Sequence, residues 1–463
     1  MGQLLIGTGR CDITPAPGTP QGGWGAQTHQ RGLGADMPFY ATAMVLSDGG
    51  EMVAIADVDA IGFDMEWTNK IMDAIVAQTK LPRDRIRFSC THTHSGPNTF
   101  RLATISEGLD MSLSYLESLP HRIAGAVWQA QQNLRPARVA AGEGRSEMNV
   151  NRRFHPPGGG MAVGRNWEGV ADPTVRVVRF DAFDETPIAT IVHYACHPTT
   201  IAWQSHHYTP DYPGPIRTVV ERELGGACLF LQGPTGNLTP RRGFTGDFRV
   251  YRRIGESIGL EAARVAHSLE TLPRHEKFLR VQQSGAAIAI YEDEPVEPPA
   301  PVLRVITRDI QMPLRQFGDP EPLEAEAVRL RAELNRLRGE GTEGEIREAT
   351  ARATQAGWAA GAARQYYNKT SVPWQMMGIR IGDTALLSVQ GEPFVELGLR
   401  IASESPFPHT LFSGYTNGAF GYIVTREAYA EGGYEVLGGS PFSPDAADVV
   451  VAEGIRLLRE LAG

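Results

Sequence analysis

The sequence is poor in cysteine, and no two of its cysteines stand at the spacing of a known motif. It has four, far apart and without a CxxC: Cys11, Cys90, Cys196 and Cys228. Small secreted domains that depend on disulfides carry a much denser set. We therefore expect all four to be reduced, small apolar side chains, which favours a cytoplasmic protein.

Long apolar and long basic runs are missing as well. No apolar run approaches the roughly 18 residues of a spanning helix, and residues 1–7 lack the basic start and long apolar core of a secretory signal. No long run of Lys or Arg occurs, and the formal net charge is −9. These absences argue against nucleic acid and against stable membrane association. A small-molecule substrate is the expected partner.

Glycine and proline, by contrast, are abundant, with 51 and 32 residues, and they indicate many loops between regular elements. Periodicity and turn signals predict strands over residues 4–12, 40–46, 52–57, 85–90, 139–147, 175–180, 188–194, 227–231, 303–312, 376–381 and 385–389. They predict helices over 67–79, 113–133, 215–224, 321–338 and 345–365. The alternation predicts an α/β fold in which mixed β-sheets are flanked by helices.

Three details of this pattern concern a proline and the polar stretches between elements. Pro120 marks either a kink or the true start of the second predicted helix. The polar stretches 149–153 and 292–301 are expected to be loops. The two charged helices around Gly339-Glu340-Gly341 form a predicted αα-hairpin, which we expect to be either a packing insert or the surface of a homo-oligomer.

A histidine-rich segment follows the strand predicted over 85–90. Residues 91–97 read Thr-His-Thr-His-Ser-Gly-Pro and end in a strong loop signal. Since His92 and His94 are two positions apart, their side chains point to the same face of an extended chain. Two imidazoles on one face suit metal binding, or one ligand beside a proton-handling group. From these residues alone, one packed and one solvent-facing histidine is the alternative.

Further polar side chains lie where predicted strands end. His197 follows the strand over 188–194, and Glu392 follows the strand over 385–389. Such strand ends carry functional groups in α/β proteins. Two histidines and a carboxylate form a standard catalytic zinc set with room for water. On local grounds alone, Glu392 could instead cap the helix that follows.

Several other polar residues are expected to be structural. Asp57 and Asp59 end a strand, where helix capping or loop hydrogen bonds are the simpler interpretation. We expect packing or surface positions for three further histidines, His193, His206 and His207. A second metal site that combines one of them with Asp57, Asp59 or Asp211 is the alternative.

Five ordered stretches make the sequence resemble the neutral/alkaline non-lysosomal ceramidase family. They are residues 91–97 (Thr-His-Thr-His-Ser-Gly-Pro), 149–152 (Asn-Val-Asn-Arg), 236–240 (Gly-Asn-Leu-Thr-Pro), 391–394 (Gly-Glu-Pro-Phe) and 422–425 with 434–435 (Tyr-Ile-Val-Thr and Tyr-Glu). They run in family order from near the N-terminus almost to the C-terminus. Five ordered matches are much stronger than any single motif.

The resemblance implies a zinc amidase and assigns roles position by position. It implies four zinc ligands: His92, His197, Glu392 and Tyr422. His94 and Arg152 match positions beside the scissile group of the substrate. Tyr434 matches a further active-site tyrosine. A tyrosine ligand could not be inferred from the spacing of this sequence.

The sequence departs from the family pattern at the turn that carries the proposed serine nucleophile. The family reads Gly-Asp-Val-Ser-Pro there, whereas residues 236–240 place Asn237 at the acid and Thr239 at the hydroxyl. A hydroxyl nucleophile needs a nearby base. A catalytic role for Thr239 therefore stays open.

The resemblance also indicates which domains to expect. Secreted members carry a signal peptide and a C-terminal immunoglobulin-like domain, and we expect neither here. Residues 1–463 are expected to form a single ceramidase-like catalytic domain, with a helical hairpin inserted at about 318–366.

The expected activity is zinc-dependent hydrolysis of a C–N amide bond by metal-activated water. A cytoplasmic enzyme without membrane-facing features suits a small or soluble amide better than membrane ceramide. Family likeness defines a site better than a substrate. The alternatives are a zinc hydrolase or lyase acting on an ester, a lactam or a sugar C–O bond, and a catalytically inactive binding protein of the same fold.

Overall fold

The structure is a computed structural model that describes residues 3–100 and 102–463. Its strands, in chain order, are β1 (Leu5–Asp12), β2 (Gly34–Ala35), β3 (Tyr40–Ser47), β4 (Met52–Val58), β5 (Ile86–Cys90), β6 (Arg135–Arg145), β7 (Asn149–Phe154), β8 (Ala162–Asn166), β9 (Thr174–Ala182), β10 (Pro187–Tyr194), β11 (His207–Tyr208), β12 (Ala227–Gln232), β13 (Leu238–Pro240), β14 (Arg274–Ser284), β15 (Ala286–Pro295), β16 (Leu303–Pro313), β17 (Ser371–Ile381), β18 (Thr384–Val389), β19 (Glu392–Pro393), β20 (His409–Ser413) and β21 (Tyr422–Ile423).

The helices are α1 (Met65–Thr79), α2 (Leu109–Gln132), α3 (Pro213–Leu224), α4 (Phe248–His267), α5 (Pro320–Glu340), α6 (Glu343–Tyr366), α7 (Val395–Glu404), α8 (Arg426–Glu431), α9 (Tyr434–Leu437) and α10 (Ala446–Ala462), with one 3-10 turn at Arg83–Arg85. The predicted α/β class is therefore confirmed. Among the described residues, no helix combines the length and the apolar character needed to cross a bilayer.

Two mixed sheets form the centre of the molecule. One has eight strands in the order β12-β10-β9-β6-β1-β3-β4-β5, and the other has four in the order β16-β17-β18-β20. Side chains of the larger sheet such as Met44 and Phe180 share a buried cluster with Ile379 of the smaller sheet. Because side chains alternate along a strand, Val45 points the other way and packs with helix residues such as Ile71. The two sheets thus lie face to face.

Helices cover the outer faces. α1 and α2 pack on one part of the larger sheet, and α3 and α4 on another. α7 and α10 cover the smaller sheet through residues such as Leu397 and Leu458. The result is a helix–sheet–sheet–helix arrangement in which most strands are buried on both faces. That burial explains why their sequences read as nearly continuous apolar runs.

Three strand ends meet at one edge of this arrangement. Gln232 Nε2, at the end of β12, donates to Thr91 O just beyond β5, at 3.0 Å. Arg87 of β5 donates from Nε to Ser388 Oγ of β18, at 2.7 Å. Parallel pairing joins β10 to β12, and β18 to β20. The segments that follow β5, β10 and β18 therefore leave the sheets side by side.

One predicted loop is wrong, and a second is correct only in part. Residues 149–153 belong to the strand β7, which pairs with the short strand β13 far along the chain. Thr239 therefore lies in a strand, not in a turn directly before a helix. The stretch predicted as a linker at 292–301 begins inside β15, which ends at Pro295. In addition, α2 starts at Leu109 and continues through Pro120, so this proline does not start the helix.

The helical hairpin is confirmed as α5 and α6. Thr342 caps α6 with a reciprocal capping box to Glu345. The hairpin also packs on the body of the molecule, because Arg338 Nη2 donates to Thr104 O at 2.6 Å. On α6, Trp358 lies 6.3 Å from Tyr434, measured between ring centroids.

Candidate functional site

The chain turns sharply just after β5. His92 has a backbone φ of 68°, in the left-handed region, which costs a non-glycine residue roughly 1–2 kcal/mol. Its amide holds the turn by donating to Ala60 O at 2.9 Å. Backbone strain of this kind is concentrated at functional sites. Here it aims the His92 ring at the segments that follow β10 and β18.

Each of three histidines donates its Nδ1 proton to a backbone carbonyl. His92 bonds Ile61 O at 2.5 Å. His94 bonds Gly23 O at 2.8 Å. His197 bonds Thr235 O at 3.2 Å. A carbonyl only accepts, so the proton of each neutral ring sits on Nδ1 and each Nε2 presents a lone pair.

The three Nε2 atoms converge on one point. The separations are 3.1 Å for His92 to His197, 3.3 Å for His92 to His94 and 3.0 Å for His94 to His197. Three lone pairs at this distance repel one another unless a cation lies between them. A tetrahedral zinc ion with Zn–N bonds of about 2.0–2.1 Å needs nitrogens about 3.3 Å apart. Among the described residues, only this histidine group meets the geometric requirement for a metal cluster.

Glu392 adds a carboxylate to the group. Its Oε2 lies 3.4 Å from His92 Nε2 and 3.9 Å from His197 Nε2. This buried oxygen has no hydrogen-bond partner among the described residues. Burial raises the pKa of Glu392, but the nearby side chains of His92 and Arg152 outweigh burial and lower the pKa overall. An anionic oxygen beside three imidazole lone pairs is a donor set that fits a divalent cation.

Two of the three histidines, His94 and His197, stay neutral in this environment. Burial, together with His92, lowers the pKa of His94 to about 3. Burial and the nearby Arg152 lower the pKa of His197 well below its ordinary value. Metal binding requires the neutral imidazole. The site therefore favours the ligand form of both side chains.

A close backbone contact fixes the His94 side of the site. A Cβ at Gly23 would lie 1.9 Å from His94 O, so only glycine fits there. Next to it, the ring of Trp24 lies 5.2 Å from that of His94, and also contacts Trp203 and Phe244. An aromatic wall therefore borders the site beside His94.

Tyr422 reaches the site through strand pairing. β19 and β21 pair in parallel with Glu392 opposite Tyr422. The Arg152 guanidinium lies 5.3 Å from the centre of the Tyr422 ring. Burial, and then the charge of Glu392, raise the pKa of the Tyr422 phenol. The structure thus brings Tyr422 beside Glu392, while its role as a ligand stays a prediction.

Arg152 is a buried cation with one free donor. Its Nε donates to Glu435 Oε1 at 2.8 Å, and Glu435 Oε2 accepts from Arg153 Nη1 at 2.9 Å. Arg152 Nη2 is buried and has no partner among the described residues. Tyr434, whose ring lies 5.8 Å from that of Tyr422, borders the same space. A fixed guanidinium with a free N–H suits an oxygen that gains negative charge.

Thr239 lies close to this group without facing a base. Its side chain is fully buried in β13, and its hydroxyl pairs with Thr199 Oγ1 at 3.3 Å. Asn237, two residues earlier, donates from Nδ2 to both Glu396 oxygens at 3.1 and 2.8 Å. The same amide accepts from Val395 N at 2.9 Å. Asn237 thus ties the turn to the start of α7.

Sequence reasoning missed Tyr415 and Thr235. The Tyr415 ring lies against His92, with centroids 4.2 Å apart, and its hydroxyl shares a hydrogen bond of 2.5 Å with Thr235 Oγ1. Tyr415 also has a left-handed backbone, with φ at 56°. No local pattern marks these residues. The positive φ of the bulky Tyr415, visible only in the structure, is the signal that finds this residue, and its hydrogen bond leads to Thr235.

The remaining polar candidates have structural partners. Asp57 and Asp59 pair with Arg217, and burial raises the pKa of Asp57 to about 7. His193 Nε2 donates to Phe412 O at 2.8 Å between the two sheets. Asp211 accepts from the amide of Ile201 at 3.0 Å. His206 stacks on the ring of His29, and His207 lies in β11.

A polar cavity of about 450 Å³ lies behind the site, lined partly by Asn151, Arg153 and Asn237. Charges in its wall pair with one another. Arg153 bonds Glu431 at 3.0 Å, and Arg400 bonds Asp448 at 3.0 Å. Two buried polar atoms next to the histidine group, Glu392 Oε2 and Arg152 Nη2, have no partner among the described residues, and we place the chemistry there.

Comparison with known proteins gives consistent matches. The family model "Neutral/alkaline non-lysosomal ceramidase, N-terminal" matches residues 4–235. The neutral ceramidase of Pseudomonas aeruginosa is 26% identical over 476 residues, which span 94% of this chain and 68% of the relative. Neutral ceramidase A of Dictyostelium discoideum is 25% identical over 240 residues, 48% of this chain and 32% of the relative.

Solved structures show the same fold. The crystal structure of the neutral ceramidase from Pseudomonas aeruginosa aligns with a TM-score of 0.70 at 20% identity, covering 100% of this chain and 75% of that one. A ceramidase complexed with C2 aligns with a TM-score of 0.68 at 18% identity, covering 100% of this chain and 76% of that one.

Proposed function

The chain belongs to the neutral/alkaline non-lysosomal ceramidase family, and from that premise we propose that it is a zinc-dependent amidase acting on a small or soluble amide. The observation that carries the proposal is that the Nε2 atoms of His92 and His197 lie 3.1 Å apart beside Glu392, whose buried Oε2 has no partner among the described residues. Hydrolysis breaks the amide C–N bond, adds the oxygen of water to the carbonyl carbon and leaves a proton on the amine nitrogen.

In this proposal His92, His197, Glu392 and Tyr422 hold the zinc ion. A zinc ion in such a site supplies a Lewis acid that acts on an amide carbonyl and on water. The carbonyls of Ile61 and Thr235 keep the two imidazoles in the correct tautomer and orientation.

Arg152 would stabilise the charge that develops during the reaction. Glu435 holds the Arg152 guanidinium through Nε, which leaves the buried Nη2 for an oxygen of the substrate. A preorganised donor in a dry site is worth about 10²- to 10³-fold in turnover. The buried ion pair thus positions the donor before the substrate arrives.

His94 and Tyr434 would border the scissile group. With the zinc ion on the four ligands above, His94 Nε2 is left to accept a hydrogen bond from water or from the leaving amine. Burial raises the pKa of the Tyr434 phenol, so this hydroxyl keeps its proton and donates to the substrate. The family resemblance predicts substrate contacts for both groups.

The residues at the rim of the site bear on the size of the substrate. Trp24 borders the site on the His94 side, and Trp358 of α6 approaches Tyr434 on the other. α5 is highly charged and is anchored through Arg338. A rim that combines this aromatic wall with a charged helical hairpin favours a compact or polar amide over a long two-chain lipid.

Metal content and a substrate panel test the proposal. We expect about one zinc per chain in the wild type and in the surface variant His121→Ala, and loss of zinc and activity in His92→Ala and His197→Ala. Short-chain N-acyl amides should have a higher kcat/KM than long-chain ceramide in mixed micelles. Full activity in His92→Ala would overturn the zinc mechanism. A preference for long-chain ceramide would retain the mechanism and overturn the proposed substrate. Cleavage of esters but not of amides would show that the enzyme hydrolyses a C–O bond and not a C–N bond.

A further inference from the structure

A long β-ribbon, which we call the arm, projects from the molecule between α4 and β16. It consists of β14 and β15, of eleven and ten residues, joined at Gly285. The two strands form a sheet of their own and pair over almost their whole length. At about 3.3 Å per residue, the arm is about 35 Å long. Every residue of β14 is exposed, and in β15 only Ile290 is partly covered.

An arm of this kind is not stable by itself. A lone two-stranded hairpin is at best marginally stable in water, and three or more strands with an apolar face are needed for independent stability. The arm nevertheless exposes five large apolar side chains, each at least 44% accessible: Phe278, Leu279, Val281, Ile288 and Tyr291. Exposed apolar groups clustered on one element mark an interaction surface.

The charges of the arm extend from its base as far as Arg280 on β14 and Glu292 on β15, and the tip carries none. Arg274, Glu276 and Lys277 lie at the base of β14, and Glu292 and Asp293 at the base of β15. Residues 281–291 read Val-Gln-Gln-Ser-Gly-Ala-Ala-Ile-Ala-Ile-Tyr and contain no charge and no proline. Natural edge strands are protected from pairing by Lys, Pro or bulges. Near the tip, the outer edge of β15 has neither a charged residue nor a proline that would block pairing with another strand.

We propose that β15 pairs antiparallel with β15 of a second copy of this chain, around a two-fold axis at Ile288. This register is self-complementary, as an isologous interface requires. It places Ala286 of each copy opposite Ile290 of the other, and it leaves Glu292 and Asp293 outside the paired segment. Like charges therefore do not face each other across the new ladder.

The proposed pairing supplies the additional strands that the isolated two-stranded arm needs to be stable. Two ribbons become one four-stranded sheet, which passes the threshold of three strands. Pairing through β14 would instead bring Gln282, Gln283 and Ser284 together, which gain less from a ladder than the β-branched and aromatic residues of β15. In this register the ladder spans residues 286–290 of each copy, and the rest of the two arms lies beside it in the same four-stranded sheet.

The first experiment measures the mass of the full chain in solution, by light scattering after size exclusion, up to about 100 μM protein. We expect a dimer for the wild type. Ile288→Lys places a charge on the axis and should raise the dimer dissociation constant at least about 100-fold. The matched control is Val328→Lys, an equally drastic change at an exposed β-branched residue of α5. This control should remain dimeric.

A second variant keeps the proposal testable if Ile288→Lys disturbs the arm. Residues that face each other across an antiparallel pair have Cα atoms about 4.5–5.5 Å apart, within the disulfide range of about 4.4–6.8 Å. Oxidised Ile288→Cys should therefore form a covalent dimer, whereas Val328→Cys should not.

Three results would overturn the proposal. A wild type that is monomeric throughout, including one whose arm instead binds lipid vesicles, would exclude a second copy as the occupant. A dimer lost in Val328→Lys and kept in Ile288→Lys would move the interface to the helical hairpin. Failure of Ile288→Cys to cross-link within a dimer would exclude this register.

Discussion

The ring of Tyr415 packs against the imidazole of His92, with centroids 4.2 Å apart and planes inclined by 34°. The Tyr415 hydroxyl shares a hydrogen bond with Thr235 Oγ1, and the Thr235 carbonyl accepts from His197 Nδ1 at 3.2 Å. One tyrosine therefore contacts one candidate ligand directly and supports a second through its neighbour.

Removing the Tyr415 hydroxyl should weaken metal binding. Tyr415→Phe keeps the ring against His92 and loses the hydrogen bond to Thr235. The Thr235 carbonyl, which accepts from His197 Nδ1, is then held less firmly. Groups that orient ligands are worth about 10- to 100-fold in metal affinity, and we expect a loss in that range by chelator competition. The matched control is Tyr429→Phe. It removes a hydroxyl that lies away from the site and donates to Phe442 O, at 2.7 Å. Equal zinc affinity in the two variants would show that Tyr415 has no supporting role.

His94→Ala should lower turnover by at least about 100-fold, the lower limit for a positioned proton-handling group. The Nε2 atom of His94 lies 3.0 and 3.3 Å from those of His197 and His92, so removing it disturbs either the metal or the substrate. Zinc content separates the two roles. Retained zinc would place His94 beside the substrate, and lost zinc would make it a ligand. Normal turnover would contradict both.

Thr239→Ala should retain near-normal turnover. The Thr239 hydroxyl pairs with the hydroxyl of Thr199 and not with a base, so the geometry does not activate it as a nucleophile. The lost hydrogen bond should cost about 1 kcal/mol of stability, measurable by urea unfolding. A fall in kcat of about 1,000-fold or more, rescued by Thr239→Ser, would assign the nucleophile to this hydroxyl.

Asn237→Asp should make stability strongly dependent on pH. Asn237 Nδ2 donates to Glu396, whose pKa is already raised by burial. A second carboxylate would raise the folded-state pKa of the pair above the unfolded values of about 3.9 and 4.3. The variant should therefore match the wild type below about pH 4 and lose on the order of 2 kcal/mol as pH rises to neutrality.

Unfolding in urea at several pH values measures this effect. In the double variant Asn237→Asp with Glu396→Gln, the introduced carboxylate again faces an amide, and stability at neutral pH should recover. An Asn237→Asp variant with a pH profile parallel to that of the wild type would mean that the two side chains do not share one buried environment.

The strands and helices that depend on near neighbours could be predicted. The segment after β5, the pair β3 and β4, and the helices α1, α5 and α6 all carry periodicity and turn signals within a few residues. The fold class followed from their order. The five motifs also led to the family, because they preserve residue types at ordered positions along the whole chain.

The errors have two origins, a distant pairing partner in one case and a lack of packing in the other. Residues 149–154 read as a polar loop, yet they form β7 because β13 pairs with them from residues 238–240. β14 and β15 gave no usable signal because their outward faces pack on nothing within the chain. Local polarity describes neither case, since strand pairing depends on what lies opposite.

The sequence by itself determined which chemistry is available: His92, His94, His197 and Glu392 come at the ends of buried strands. Only the tertiary structure decided how they act together. It placed three carbonyl acceptors behind the three rings, set the Nε2 atoms 3.0 to 3.3 Å apart and added Tyr415. The physical reason is that tautomer, lone-pair direction and burial depend on groups far away along the chain.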